Sequence, residues 1–141
     1  MTPNLDSTLN QLSCEIVEKI KKVENKQTRK KLFGHIDKAL GVLANDGVFA
    51  YYIYSKSQDS KNKNDACFHD IFIHTVTERL SLFVPVATKN ENSTNTKQMK
   101  YEEYYQLLAQ DLKKLLFFKE ILERTLIYAR YHAKAQGEDY E

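Results

Sequence analysis

Apolar residues recur at steps of three and four along much of this chain, which is the spacing of one face of an α-helix. The first stripe predicts a helix over about residues 6–24 with Asp6 or Ser7 as N-cap; its members are Leu5, Leu9, Leu12, Ile16, Ile20 and Val23. A second stripe begins at Thr28, its predicted N-cap, and ends at the turn-forming run 45–47; it carries Leu32, Phe33, Ile36, Ala39, Leu40 and Leu43. The N-terminal third is therefore predicted to form two amphipathic helices.

The segment from Val48 to Tyr54 is short, apolar and rich in tyrosine, so its pattern fits either a helix or a buried strand. A helix is favoured because a lone strand would have no partner elsewhere in the chain. Residues 55–65 are polar without periodicity and predict an exposed loop. A further helix is predicted from Asp65 to Pro85, since the apolar residues between them keep helical spacing and proline cannot continue a helix.

The C-terminal part begins with a second predicted polar loop, over about residues 86–98. From Tyr101 to Ala133 an apolar seam continues without glycine or proline, which predicts one long helix or two nearly collinear helices. Residues 137–141 are predicted to form a frayed, acidic tail. The whole pattern predicts an all-α, single-domain bundle over residues 1–141, with five to six helices and two polar loops.

Composition agrees with this fold class and bears on location. A chain of 141 residues with 42% hydrophobic content is typical of one globular domain. Nowhere does the sequence hold 18 uninterrupted apolar residues, and its first residues, Met1 to Asp6, lack the basic-then-apolar order of a signal peptide. We therefore expect a cytoplasmic protein without a membrane partner.

Few residues in the sequence predict catalysis or metal binding. Cys14 and Cys67 lack CxxC spacing, so they predict neither a zinc site nor a disulfide, and no Cys/His grouping is visible beside either. His69 and His74 would point about 140° apart on an α-helix, which makes joint metal ligation unexpected. Nucleotide-binding loops and hydrolase motifs are absent from the sequence. We expect no metal, no cofactor and no small-molecule substrate.

One arrangement suggests an enzyme. The spacing of Arg29 and His35 resembles that of the arginine and histidine in HEPN-type ribonucleases, which are also small helical bundles. In such enzymes the resemblance implies an arginine that holds phosphate and a histidine that handles protons. A HEPN-like ribonuclease is therefore the alternative hypothesis for function.

Basic residues are concentrated in two segments, although the formal net charge is only +2. Between Lys19 and Lys38 eight basic residues stand against two acidic ones, and between Lys113 and Lys134 six stand against two. Cations at helical spacing can follow a phosphate backbone without reading sequence. Nearby tyrosines can stack on unpaired bases, though helical spacing favours core packing for most of them: Tyr51, Tyr52, Tyr54, Tyr128 and Tyr131.

A family resemblance points the same way. The run DGVFAYYIYSK at 46–56, a polar loop, a helix of about 20 residues and the run ERTLIYARYHAKAQ at 123–136 resemble the Cmr-module small subunit of type III-B CRISPR effector complexes. The likeness covers the chain from about Leu32 onward. It implies a non-catalytic structural subunit of a ribonucleoprotein complex for antiviral defence. Its expected partners are guide RNA, target RNA, the other subunits and copies of itself.

The resemblance also implies an RNA-binding surface that holds the guide–target backbone without sequence specificity. The basic residues that it covers or that flank it are Arg29, Lys30, Lys31, Lys56, Arg124, Arg130 and Lys134. A third hypothesis, a helical adaptor or antitoxin-like protein that binds only protein, also fits the predicted fold.

Overall fold

The computed structural model describes residues 4–61, 67–86 and 97–137. Every regular element in these ranges is a helix, so the predicted all-α bundle is confirmed. The elements are α1 (Leu5–Lys21), α2 (Lys26–Asp46), α3 (Val48–Lys61), a π-helix (His69–Thr75) continued by α4 (Val76–Leu80), α5 (Lys97–Ala109) and α6 (Leu112–Ala135). Parts of the predicted loops (62–65 and 87–96) and of the predicted tail (138–141) lie outside the described residues.

Asparagine caps start the first two helices earlier than predicted. Asn4 Oδ1 accepts hydrogen bonds from the backbone N–H groups of Asp6 and Ser7, at 3.0 and 3.4 Å. In the same way Asn25 Oδ1 accepts from the N–H groups of the residues two and three positions later, at 2.9 and 3.2 Å. The predicted caps Asp6, Ser7 and Thr28 were wrong because a better-placed asparagine precedes each. Gly47 ends α2 as expected, with a φ of 99° that favours glycine.

The third helix is confirmed over 48–54 and extends further than the sequence indicated. α3 runs to Lys61, so the predicted loop at 55–65 was wrong for its first seven residues. Ser55 is fully buried, and its Oγ lies 2.9 Å from His35 Nε2 on α2. This contact holds the polar continuation of α3 in helical form against its neighbour.

Helices α5 and α6 are two helices, and they are not collinear. The rings of Tyr105 and Phe118 lie 5.8 Å apart, whereas 13 residues of one straight helix would separate their positions by about 20 Å. The chain therefore folds back between Ala109 and Leu112, where Asp111 caps α6 through the N–H of Lys114. Nothing in the run marks this reversal except an aspartate, since glycine and proline are absent from it.

The directions of the helices bring three helix ends together. Two side-chain hydrogen bonds join α1 to α6, from Tyr128 to Asp6 and from Lys21 to Gln136. Residue numbers increase in the same direction along both helices, so α1 and α6 are parallel. Helix α2 starts beside the end of α1, where Arg29 Nη1 donates to the carbonyl of Val23 at 2.8 Å. It therefore runs antiparallel to both. The ends of α1 and α6 and the start of α2 lie at one end of the bundle.

Candidate nucleic-acid interface

Six exposed lysines gather at that end of the bundle, which we call the cationic end. They come from the end of α1, the first turns of α2 and the last turn of α6, and they are Lys21, Lys22, Lys26, Lys30, Lys31 and Lys134. Among the carboxylates that the structure describes, none forms an ion pair with any of them. Lys21 Nζ donates to Gln136 Oε1 at 2.7 Å, which ties the end of α1 to that of α6. The cationic end thus presents ammonium groups without neutralising partners among the described residues.

The seam between α2 and α6 places two of these lysines side by side. Arg130 Nε lies 3.1 Å from Asp37 Oδ1 and fixes the level at which the two antiparallel helices meet. Lys30 stands two turns before Asp37 on the same face of α2, and Lys134 stands one turn after Arg130 on the same face of α6. At a rise of about 1.5 Å per residue, Lys30 and Lys134 differ by only about 5 Å along the seam.

The local helix electrostatics also differ between the three ends. Lysines in the last turns of α1 and α6 complement the negative ends of those helix dipoles, which is an ordinary stabilising arrangement. Helix α2 is different, because its first turn holds no acid and begins with Lys26 at the positive end of the dipole. Positive charge therefore accumulates where α2 starts, and an anion bound there is favoured.

Two of the predicted RNA-binding residues at this end already have protein partners. The guanidinium of Arg29 is half-buried and closes the connection between α1 and α2 through its bond to Val23. Arg130 pairs with Asp37, but both side chains are about 40% exposed, at 43% and 40% respectively. A partly exposed pair of this kind contributes little to stability, and Arg130 is engaged by protein groups.

The other two predicted RNA-binding residues, Arg124 and Lys56, have different surroundings from the lysines of the cationic end. Arg124 lies ten residues before Lys134, about 15 Å along α6, in a shallow depression that it shares with Glu120 and Glu123. Lys56 Nζ lies 5.7 Å from the ring centroid of Tyr52, a cation–π contact on the side of α3 that faces α5. The predicted strip of basic residues along α6 is therefore interrupted by carboxylates.

Three lysines of the cationic end were missing from the predicted site. Lys21, Lys22 and Lys26 lie further before Leu32, where the family resemblance begins, than the flanking residues that were carried over from it. The signal that marks them is the charge excess between Lys19 and Lys38. Their convergence with Lys134 depends on how the helices pack.

Of the five tyrosines proposed for base stacking, Tyr131 is the exposed one, at 64%. Tyr51 and Tyr52 are fully buried, Tyr54 stacks on His35, and Tyr128 donates to Asp6 at 2.5 Å. Tyr131 stands one turn before Lys134 on α6. It is thus an aromatic surface beside the cationic end, available to an unpaired base.

The geometry gives no support to a nuclease centred on Arg29 and His35. His35 is only 2% exposed and its Nε2 is engaged by Ser55. Burial, with a smaller contribution from Lys38, lowers the pKa of His35 to about 3. Its imidazole is neutral and enclosed, away from any substrate in solution, while Arg29 serves the α1–α2 connection.

The histidines at 69 and 74 are closer than an α-helix would place them. They lie in the π-helix, and both rings approach Tyr101, at centroid distances of 5.7 and 5.8 Å. The predicted 140° separation was wrong because the i to i+5 bonding of a π-helix brings these positions to one side. Burial lowers the pKa of His69. Still, no three histidine, cysteine, aspartate or glutamate side chains of the described chain form a metal-binding group.

Other surfaces of the described residues differ from the cationic end. The first half of α6 exposes Leu112, Leu116 and Phe117, at 67%, 55% and 37%.

Within the parts of the chain that the structure describes, no helix combines the length and apolarity of a membrane span. A scan against protein-family models, a search of curated proteins and a search of solved structures each found no match to this chain.

Proposed function

We propose that this chain is a non-catalytic RNA-binding subunit that holds a phosphate backbone at its cationic end. The supporting observation is the convergence of six exposed lysines from three helix ends, unpaired by any described carboxylate. Lysines neutralise phosphates as point charges and gain affinity through counterion release. Contacts of this type position a nucleic acid and carry no sequence information. The chain therefore binds RNA without sequence specificity.

The assembly that we propose is a type III CRISPR ribonucleoprotein, on the strength of the resemblance to the Cmr-module small subunit. Arg130 and Lys134 belong to the resembling C-terminal run and lie at or beside the cationic end. In this assembly the chain contacts guide and target RNA there. The exposed apolar face of Leu112, Leu116 and Phe117, at the other end of α6, contacts a second copy.

The binding surface is tested with the double variant Lys30→Gln/Lys134→Gln. Fluorescence anisotropy with labelled single-stranded RNA of mixed sequence measures the affinity over a series of salt concentrations. We expect weaker binding, and a salt dependence whose slope falls by about 0.7 for each lysine that contacted a phosphate. The matched control is Lys113→Gln/Lys114→Gln, in the first turn of α6, which removes the same charge about 30 Å away.

The outcomes separate the hypotheses. Equal losses in the two double variants would place the RNA elsewhere and overturn the site. If the wild type itself does not bind RNA at moderate salt, an adaptor that binds only protein replaces the proposal. Tyr131→Ala adds information on the ligand: loss of affinity for single-stranded RNA with unchanged affinity for duplex supports stacking on an unpaired base.

The assembly is tested separately, by purifying the tagged chain from its native host and sequencing the RNA bound to it. Short RNAs that carry a common repeat-derived end and variable remainders support the CRISPR assignment. Recovery of unrelated RNAs, or of none, would overturn that assignment. The anisotropy result would remain the measure of RNA binding by the chain itself.

A further inference from the structure

The outward face of the first half of α6 carries two opposite charges placed symmetrically about an apolar centre. Leu116 and Phe117 form this centre, and both are exposed. Lys113 stands three residues before Leu116 and Glu120 stands three residues after Phe117, so at helical spacing all four share one face. Lys113 and Glu120 are exposed, and neither forms an ion pair within the described ranges. Reversing the direction of the helix exchanges the two charges and leaves the apolar centre in place.

We propose that a second copy contacts this face with its own α6, antiparallel, about a two-fold axis that passes between Leu116 and Phe117. The inference rests on the proposed function, which places a second copy there, and it adds which surface of that copy makes the contact. Two identical surfaces meet about a two-fold axis when each complements itself. Here Leu116 and Phe117 each meet their counterpart, and Lys113 lies level with Glu120 of the second copy.

Charge also selects the direction of the second helix. In a parallel arrangement of the same two faces, the Lys113 ammonium groups would be neighbours, and so would the Glu120 carboxylates. Like charges at such distances repel each other. The antiparallel arrangement replaces both repulsions with attractions between opposite charges.

A depression on α6 accommodates the remaining exposed leucine of this face, Leu112, which is 67% exposed. The depression has a volume of about 340 Å³ and is lined by Leu116, Lys119, Glu120, Glu123, Arg124 and Ile127. In the antiparallel pair Leu112 lies level with Ile121 of the second copy, because the two positions are equally far from the axis. That level is the middle of the depression. Leu112 also stands one turn before Leu116, on the side of the face that borders the depression, so its side chain enters it.

The pairing sets the distance between the two cationic ends. Each Lys134 stands nearly five turns from the axis, so the two lysines lie about 50 Å apart along the helix direction, at opposite ends of the pair. A pair therefore offers two separate RNA-binding surfaces. One RNA that reaches both is held more tightly, because the second contact forms at a high effective concentration.

The test is the oligomeric state of the full chain without RNA, measured by sedimentation velocity at low salt and at concentrations up to the millimolar range. We expect the wild type to form dimers as the concentration rises. Lys113→Glu should weaken pairing at least about tenfold, since two attractive pairs per dimer become repulsive, and Glu120→Lys should do the same. Lys113→Glu/Glu120→Lys restores opposite charges at both contacts and should return the dissociation constant to within about threefold of the wild type.

Alanine substitutions at two exposed apolar positions of α6 supply the matched control. Leu112→Ala empties the depression and should weaken pairing, whereas Tyr131→Ala lies beyond the start of the second copy's α6 and should not. A wild type that stays monomeric, a combined charge variant no better than the single ones, or equal effects of the two alanine variants would each overturn the two-fold arrangement. Affinity for an RNA that holds one copy depends on the cationic end alone, so failure of RNA binding and failure of this contact are recognised separately.

Discussion

His35 illustrates at the scale of one residue how burial fixes a charge state. Its ring lies 4.4 Å from Phe72, 5.1 Å from Phe68 and 5.3 Å from Tyr54, measured between centroids. One polar partner, Ser55, accompanies these aromatic contacts. The pKa of His35 is lowered from 6.5 to about 3, chiefly because burial penalises the imidazolium.

This shift predicts a pH dependence of stability. Between pH 6.5 and about 3 the unfolded chain binds a proton at His35 that the folded chain excludes, so stability falls as the pH falls. The loss amounts to about 1.4 kcal/mol per pH unit. Between pH 7 and pH 5 the free energy of unfolding, measured in urea, should therefore decrease by about 2 kcal/mol more in the wild type than in His35→Gln. An equal decrease in the free energy of unfolding of the wild type and of His35→Gln would show that His35 titrates normally in the folded state.

At the scale of the element, the start of α2 combines a good cap with an unfavourable charge. Asn25 satisfies two backbone donors, yet Lys26 stands at the positive end of the helix dipole and no acid lies in the first turn. Lys26→Glu should therefore raise the free energy of unfolding by about 0.5 kcal/mol while it weakens RNA binding. A substitution that stabilises the fold and weakens RNA binding would indicate that Lys26 serves binding at a cost in stability.

Helix α6 offers a matched control for that substitution. Lys113 is also exposed in a first turn without acids, at the far end of the molecule from Lys134. Lys113→Glu should stabilise the fold by a similar amount and leave RNA affinity unchanged. Urea unfolding and anisotropy on both variants check this, and equal RNA affinities for the two would contradict the placement of the interface.

How far the sequence could predict these elements depends on whether their causes are local. The apolar stripes of α1 and α2 are local, and so is the left-handed Gly47 that ends α2, so these two helices were predictable, whereas α3 was predicted only over 48–54. The reversal between α5 and α6 depends on the packing of Tyr104 and Tyr105 on Phe118, which no spacing reveals. The contacts of His69 and His74 with Tyr101 depend on a π-helix, which side-chain periodicity of 3.6 does not detect.

The same distinction between local causes and causes that depend on packing applies to the candidate site. Charge excess marked the segments that supply the cationic end, and a polyanionic partner remains a prediction from that excess. Which cations converge is decided by helix direction, and the structure places Arg124 about 15 Å from Lys134 along α6. Likewise, Cys14 Sγ lies 3.4 Å from His132 Nε2, a contact between residues 118 positions apart that has no local signal.

At the scale of the whole molecule, α6 joins two surfaces of different chemistry. Its 24 residues span about 36 Å, from the apolar face of Leu112, Leu116 and Phe117 to Lys134 at the cationic end. Sites separated by more than about 10 Å without shared partners contribute additively. Under the proposed function, contacts between copies and contacts with RNA are therefore separable by substitution.

This separation predicts how copies fill RNA of different lengths. On an RNA long enough for several copies, the wild type should bind cooperatively, with a Hill coefficient above 1, because neighbours meet through the apolar face. Leu116→Glu/Phe117→Glu should bind the same RNA without cooperativity, yet keep wild-type affinity for an RNA that holds one copy. Both residues are exposed, at 55% and 37%, so the fold tolerates the change. Weaker binding to the short RNA, or undiminished cooperativity on the long one, would mean that the apolar face does not mediate stacking, since only contacts between neighbours distinguish the two ligands.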